Sequence, residues 1–255
     1  RSVPPVTYST RLVAYIDVMG FKKLLAGDTS KLDSFFEAVM RFSSEKRMVF
    51  SREDDFQSLV VSDAIVLSTL LSGGDLAEKL DSCSRFFYAI SLIQGTLAFK
   101  QDLWTRGAVS VGKLFIDQES NVLVGEAFVQ AYNLERLAIY PRVIIDPKIC
   151  AEVGLSPVSF CKKINEGDRG KVLLPWRVET QMDRPSYTQD AIQIDWFRLS
   201  LNRELVPSTD IFFKGLGERM KGELDLFRKA LALGQYARAS HDTSDKDFDD
   251  PGGDV

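Results

Sequence analysis

Apolar and polar positions along this chain alternate in two rhythms, and the most concentrated run comes first. Arg11-Leu12-Val13-Ala14-Tyr15-Ile16-Asp17-Val18-Met19-Gly20-Phe21 is rich in β-branched and aromatic residues and predicts a buried strand. It carries one acid, and an ionised carboxylate buried without a partner is costly. Asp17 therefore either meets a cation or closes the strand by accepting hydrogen bonds from the turn. Beyond the glycine, residues 22–25 begin a short helix, and the free N–H groups of such a turn suit phosphate. Leu32, Phe35, Phe36, Val39, Phe42 and Ser43 fall near helical spacing behind a cap at Asp28 or Ser30, which predicts a helix with one face on a sheet.

Residues 45–55 mix both charge signs and read as an exposed connection. Phe56–Val61 and Ala64–Leu70 follow as two strands separated only by Ser62-Asp63, a tight hairpin with an acid at its tip. Ser-Asp is also an ordinary turn pair, so Asp63 by itself is open to a structural reading. Gly73-Gly74-Asp75 resembles the start of a diguanylate cyclase signature, but Leu76-Ala77 follows, and Asp75 is better read as a helix N-cap. The stripe Leu76, Leu80, Cys83, Phe87, Ile90, Gln94 and Leu97 makes a long helix facing a core or an interface.

Residues 104–116 form another strand, with Gly107 and Gly112 marking bulges or close packing. Residues 121–125 lead into a helix from Glu126 to about Ala138, and 142–146 is a further strand. The order β, α, α, β, β, α, β, α, β predicts an α+β fold, a sheet with helices on one side. Residues 171–174 and 191–197 are strand candidates, and 209–238 is largely helical in pattern. The layout expected is an N-terminal segment at 1–10, a main domain at 11–146, an extension at 147–239 packed on the same domain, and a polar, disordered tail at 240–255.

Composition narrows the chemistry. With 255 residues, 45% of them hydrophobic, one main domain is expected. A net charge of -4 argues against nucleic acid or an anionic membrane as partner. No apolar run approaches the roughly 20 residues of a membrane span, and the first residues lack a signal-peptide core, so a cytoplasmic protein is expected. Cys83, Cys150 and Cys161 form no C-x-x-C pair and read as reduced core thiols. The one histidine, His241, lies in the polar tail, so histidine acid-base chemistry and imidazole zinc sites lack their usual part. Catalysis, if present, falls to carboxylates and metals.

Two acids at adjacent strand ends, about 4.8 Å apart in strand spacing, can share divalent cations, and oxygen-only ligands suit magnesium or manganese. Ile16-Asp17-Val18-Met19-Gly20-Phe21 resembles the Asp-Ile-x-Gly-Phe motif of class III nucleotide cyclases, and Ser62-Asp63-Ala64 resembles their Gly-Asp-Ala hairpin. Arg106-Gly107-Ala108-Val109-Ser110-Val111-Gly112 is loosely similar to their Arg-x-Gly-x-x-x-Gly strand. The resemblance covers residues 11–146 and implies a class III adenylate/guanylate cyclase-like (ferredoxin-like) fold with a C-terminal extension. It implies two Mg2+ or Mn2+ ions on Asp17, Asp63 and the Val18 carbonyl, with Met19-Gly20-Phe21 cradling the β- and γ-phosphates. The reaction implied is attack of the ribose 3′-hydroxyl on the α-phosphorus with loss of pyrophosphate. It further implies a homodimer whose active sites form between two chains arranged head to tail.

The departures from that family matter as much. Where purine cyclases carry the polar residues that choose the base, this chain has Leu59 and Val122, which cannot hydrogen-bond a purine edge. Counted from Gly125, Val129 stands for the ribose-orienting Asn and Asn133 for the transition-state Arg, leaving Arg136 or Arg106 as candidate replacements. The apolar pair, the string Ala131-Tyr132-Asn133-Leu134-Glu135 and the run 140–146 resemble the Pycsar anti-phage pyrimidine cyclases. That branch implies cyclic UMP or cyclic CMP made for a separate effector. An arginine near the base, Arg106 or Arg52, leans toward UTP because uracil O4 accepts where cytosine N4 donates. The expected function is thus conversion of UTP to 3′,5′-cyclic UMP and pyrophosphate, with cytidylate cyclase the alternative. A catalytically inactive cyclase-homology domain that binds nucleotide or a partner is the reading from another class. The plainest reading is an α+β interaction module whose acids only close turns.

Overall fold

A computed structural model describes residues 7–21, 25, 30–45, 56–71, 73–101, 103–117, 120–138, 141–169, 172–176 and 191–194. Its elements run β1 (Ser9–Val18), α1 (Ser30–Glu45), β2 (Phe56–Val61), β3 (Ala64–Leu70), α2 (Leu76–Gln101), β4 (Thr105–Asp117) and β5 (Val122–Gly125). Then follow α3 (Glu126–Glu135), β6 (Val143–Ile145), α4 (Pro147–Val153), α5 (Pro157–Asn165), β7 (Leu173–Trp176) and β8 (Ala191–Ile194). The strands join one mixed sheet in the order β2-β3-β1-β4-β6-β8-β7, with β5 paired to β4. Among the described residues only the β4–β6 pair is parallel.

β1 is the interior strand on which the sheet is laid. It pairs antiparallel with β3 from Arg11↔Leu70 to Asp17↔Ala64, and with β4 from Ser9↔Leu114 to Val18↔Thr105. Because side chains alternate across a strand, its two faces enter different cores. Leu12, Ala14, Ile16 and Val18 join the large core with Phe35, Phe86, Phe87 and Ile90. Val13 packs in a smaller cluster with Val66, Leu114, Ala127 and Ala131, and Tyr15 lies against that cluster. α4 and α5 add Ile149, Cys150, Phe160 and Ile164 to the large core.

The α+β class is as expected, but the cover of the sheet is not one-sided. α1, α2, α4 and α5 contribute to the large core, whereas α3 packs on the opposite face through Ala127 and Ala131. The connection explains the difference. β4 and β6 are parallel neighbours, so the chain between them must cross a face of the sheet, and α3 is the helix that does so.

Local chemistry fixes the elements near the site. The two-residue connection Ser62-Asp63 sets the β2–β3 register, with Val61↔Ala64 as the last pair before the turn. Ser62 enters the left-handed region at φ 57, a conformation that side chains other than glycine adopt at a cost. Asp75 caps α2 as expected, accepting from Glu78 N at 2.8 Å. Asp146 caps α4, accepting from Lys148 N at 2.9 Å and from Ser110 Oγ at 2.7 Å. β5, read only as a lead into a helix, is a strand that pairs with β4 and with no other strand among the described residues. β7 and β8 continue the sheet beyond β6. The expectations for residues 22–24, 46–55, 209–238 and 240–255 lie outside the described residues.

Gly107 is where β1 and β4 come closest to excluding a side chain. A Cβ there would sit 2.4 Å from the Tyr15 carbonyl oxygen and 3.1 Å from Ile16 Cα, both backbone atoms. Gly107→Ala is therefore expected to destabilise the fold by about 1–3 kcal/mol, the usual range for overpacking. The midpoint of urea unfolding measures it, and an unchanged midpoint would show that β1 and β4 can separate freely.

Candidate functional site

Asp17 is the penultimate residue of β1, and its register partners are Ala64 on β3 and Arg106 on β4. The two-residue hairpin turn brings Asp63 to the same end of the sheet, where its carbonyl accepts from Val18 N at 3.0 Å. Met19 N donates to the Trp104 carbonyl at 2.8 Å, so the chain leaves β1 clamped on both sides. The Asp63 carboxyl lies within hydrogen-bonding reach of Asp17. Gly20 then turns the chain at φ 78, with open space where a Cβ would be, and Phe21 anchors the turn against Phe35 at 5.9 Å between ring centres. Thus Asp17, Val18, Met19, Gly20, Phe21 and Asp63 stand at the same end of the sheet.

Arg106 proves to be tied to this cluster through an acid that sequence reasoning assigned no role. Its Nε donates to Asp17 Oδ2 at 3.3 Å and lies 2.6 Å from Glu135 Oε1. The second approach is an ion pair without hydrogen-bond alignment, since Oε1 receives no aligned donor among the described residues. Glu135 is the last residue of α3 and is buried. The sequence did hold a signal for it: Ala127 and Ala131, at four-residue spacing, are buried, and Glu135 continues that stripe with a charge. A charge on an apolar helix face needs a partner from elsewhere in the fold.

The electrostatics of the cluster are strained by like charge. Burial, followed by Asp63 beside it, raises the Asp17 carboxyl above the ordinary carboxylate range, although Arg106 pulls the other way. Burial likewise raises Glu135, with Asp17 and Asp63 adding to the shift and Arg106 and Arg136 opposing it. Tyr15, on the same face, is pushed up to about 12 by burial and by Asp17, Glu135 and Asp63. Two acids, Asp17 and Glu135, thus share one guanidinium while Asp63 adds its charge beside Asp17, and a divalent cation at Asp17 and Asp63 would relieve the excess. Among the described residues no three acidic, histidine or cysteine side chains gather as a closed cage. An ion here would complete its shell with the Val18 carbonyl, water and phosphate oxygens, which is the habit of Mg2+. The residues present fit such an ion.

The remaining predicted residues are spread more widely. Leu59 packs at the edge of the cluster around Val13 and Val66, two strands from Tyr15 and on the α3 side. Asn133 is exposed on α3. Arg136 is exposed too, held by Tyr132 through a 2.8 Å hydrogen bond and a cation–π contact of 4.8 Å, while Tyr132 stacks edge-on with Tyr15 at 5.2 Å. Val122 is not brought to the acids within one chain. It pairs with Asp117, at the far end of β4 from Arg106, about 36 Å away at the usual strand rise. Arg52 lies outside the described residues.

No family model matches the chain, and no curated protein matches it. Among solved structures it is similar to the adenylyl cyclase CyaB from P. aeruginosa, at 12% identity and a TM-score of 0.45, covering 74% of this chain and 95% of that one. It is also similar to the monomeric guanylyl cyclase domain of the RhoGC fusion protein from Blastocladiella emersonii, at 10% identity and a TM-score of 0.48, covering 74% and 96%. A third likeness is to the guanylate cyclase domain of RhGC from Catenaria anguillulae in complex with GTP, at 11% identity and a TM-score of 0.46, covering 74% and 97%. No helix among the described residues is long and apolar enough to cross a membrane.

The raised Asp17 carboxyl gives a prediction whose sign can be worked out. An acid whose folded pKa exceeds its unfolded value binds its proton more tightly when folded, so ionisation opposes folding. The penalty is absent below about pH 4, grows as pH rises through the raised folded value, and is fully present above it. Without divalent ions, Asp17→Asn should unfold at higher denaturant than the parent protein at pH 7, with the difference closing near pH 4. A variant less stable than the parent at pH 7 would mean that the Arg106 pair outweighs the burial.

Proposed function

We propose that this chain is a divalent-metal-dependent nucleotide cyclase that takes a pyrimidine nucleoside triphosphate, UTP in preference to CTP. The observation that carries the reading is the meeting of Asp17 and Asp63 at adjacent strand ends beside the left-handed turn at Gly20. Asp17, Asp63 and the Val18 carbonyl would hold Mg2+ or Mn2+, two ions per site. When bound, such ions lower the pKa of the attacking 3′-hydroxyl and neutralise charge on the leaving pyrophosphate.

The chain's own residues supply position and charge. The backbone from Met19 to Phe21 would seat the β- and γ-phosphates on the open side of Gly20, where no side chain intrudes. The guanidinium of Arg106, hydrogen-bonded to Asp17, would meet an anionic phosphate or uracil O4. Leu59 and Val122 offer a base no purine-selective hydrogen bond, and Val122 requires a second chain to reach the acids. Exposed Val122, Val124, Val129 and Tyr132 on β5 and α3 support a homodimer with its active sites at the interface. In that setting Asn133 and Arg136 would meet the substrate of the partner chain and steady the pentavalent phosphorus. The product, cyclic UMP, would serve as a second messenger in anti-phage defence, read by a separate effector in the cytoplasm.

The second reading, a domain that binds nucleotide without turning it over, is favoured by one observation. The positions that the resemblance fills with Asn and Arg hold Val129 and Asn133, both exposed and neither charged.

Incubation with each of the four ribonucleoside triphosphates and Mn2+, with products separated and weighed by mass spectrometry, distinguishes these. Cyclic UMP should dominate, and Asp17→Ala or Asp63→Ala should lower its formation by at least about a hundredfold while the melting temperature holds. Product from ATP or GTP alone would overturn the base assignment. A UTP-dependent rise in melting temperature without any cyclic product would establish the silent domain.

A further inference from the structure

Arg106 stands where a cation is wanted, and it stands there with a second acid in waiting. Its single Nε–H is committed to Asp17, yet Nε is closer to Glu135, at 2.6 Å against 3.3 Å. Among the described residues Glu135 Oε1 is left without an aligned donor although it is buried. As the last residue of α3, Glu135 lies where the helix dipole adds negative charge and makes a nearby cation still more favourable. Arg136, the next residue, is turned to Tyr132 instead.

From this geometry we infer that Arg106 is a resident counter-ion at the metal acids, and that Glu135 receives its guanidinium when a divalent ion takes Asp17. The inference rests on the reading of Asp17 and Asp63 as metal ligands and deepens it. In the ion-free site, Arg106 neutralises part of the acid cluster and competes with the metal. An incoming ion repels the guanidinium from Asp17. Because Nε already touches Glu135, only a realignment of the planar fork is needed to complete a hydrogen-bonded ion pair there. Glu135 thereby becomes a positioning residue: it touches neither metal nor substrate, but it sets how readily Asp17 is released. The reassigned guanidinium also stays at the edge of the site, available to an anionic ligand.

The test is Mn2+ binding to the full chain without nucleotide, read from the electron paramagnetic resonance signal of the free ion. Arg106→Gln removes the competitor and should tighten Mn2+ by about tenfold, the effect of one partly screened charge. Glu135→Gln leaves Arg106 paired with Asp17 alone among the described residues and should weaken Mn2+ by a similar factor. The double variant should bind Mn2+ more tightly than the parent and nearly as well as Arg106→Gln, since Glu135 acts chiefly through Arg106 and only weakly through its own charge. Should Glu135→Gln fail to fold, Glu135→Asp, which withdraws the carboxylate by one methylene, should weaken binding in the same direction. A purely structural Glu135 would lower the melting temperature of its variant and leave Mn2+ affinity unchanged, which overturns the inference. Mn2+ lost in Asp17→Asn but indifferent to Arg106 and Glu135 also overturns it while leaving the metal site intact. Mn2+ bound equally by the parent and by Asp17→Asn, or by neither, overturns the metal site and the inference together.

Discussion

The pairing of β1 with β3 on one side and β4 on the other is the constraint on which the rest of this structure depends. Those ladders put Asp17 opposite Ala64 and Arg106, and they place the Ser62-Asp63 turn beside the strand end. Any acid at the end of a buried strand would meet a desolvation cost, but this register gives Asp17 a small neighbour on one side and a cation on the other. The glycine at 107, against which the Tyr15 carbonyl rests, keeps the two backbones close enough for that pairing. The cyclase-like chemistry proposed for the chain is therefore a consequence of strand register before it is one of side-chain identity.

Ionisation of the buried acids at this site is energetically costly. Burial and like charge oppose ionisation of Asp17 and Glu135, while one guanidinium is shared between them. A fold selected for stability alone would replace such a group with apolar residues of similar volume. Destabilised acids held beside the Gly20 turn suit the cation-dependent reaction proposed above, and α3 supplies Glu135 to that arrangement from the face opposite the main core.

What could be read in advance followed from how local each feature is. Phe56–Val61 and Ala64–Leu70 were legible because a two-residue turn fixes both strand ends at once. Asp75 was legible because a cap and its helix are contiguous in sequence. The meeting of Asp17 with Asp63 was legible through the motif, since each acid marks its own strand end. The side of the sheet taken by α3 was not, because it follows from the parallel pairing of β4 with β6, a contact between distant segments. Nor was the bond between Arg106 and Glu135, which depends on cross-strand register and on the rotation of a helix about its axis. β5 was missed because four residues paired to one neighbour carry little pattern of their own.

The two unlike faces of β1 bear on how this sequence can change over generations. Leu12, Ala14, Ile16 and Val18 belong to one core and Val13 to the other, with Tyr15 and Asp17 on that second side. Insertion or loss of a single residue between Arg11 and Asp17 would carry the acid to the opposite face, among Phe35 and Phe87, and bring Ile16 toward α3. Related chains are thus free to drift by replacement along this strand but not in its length. Such chains should keep an unbroken count of residues from the start of the strand to its acid, even where little else in the alignment survives.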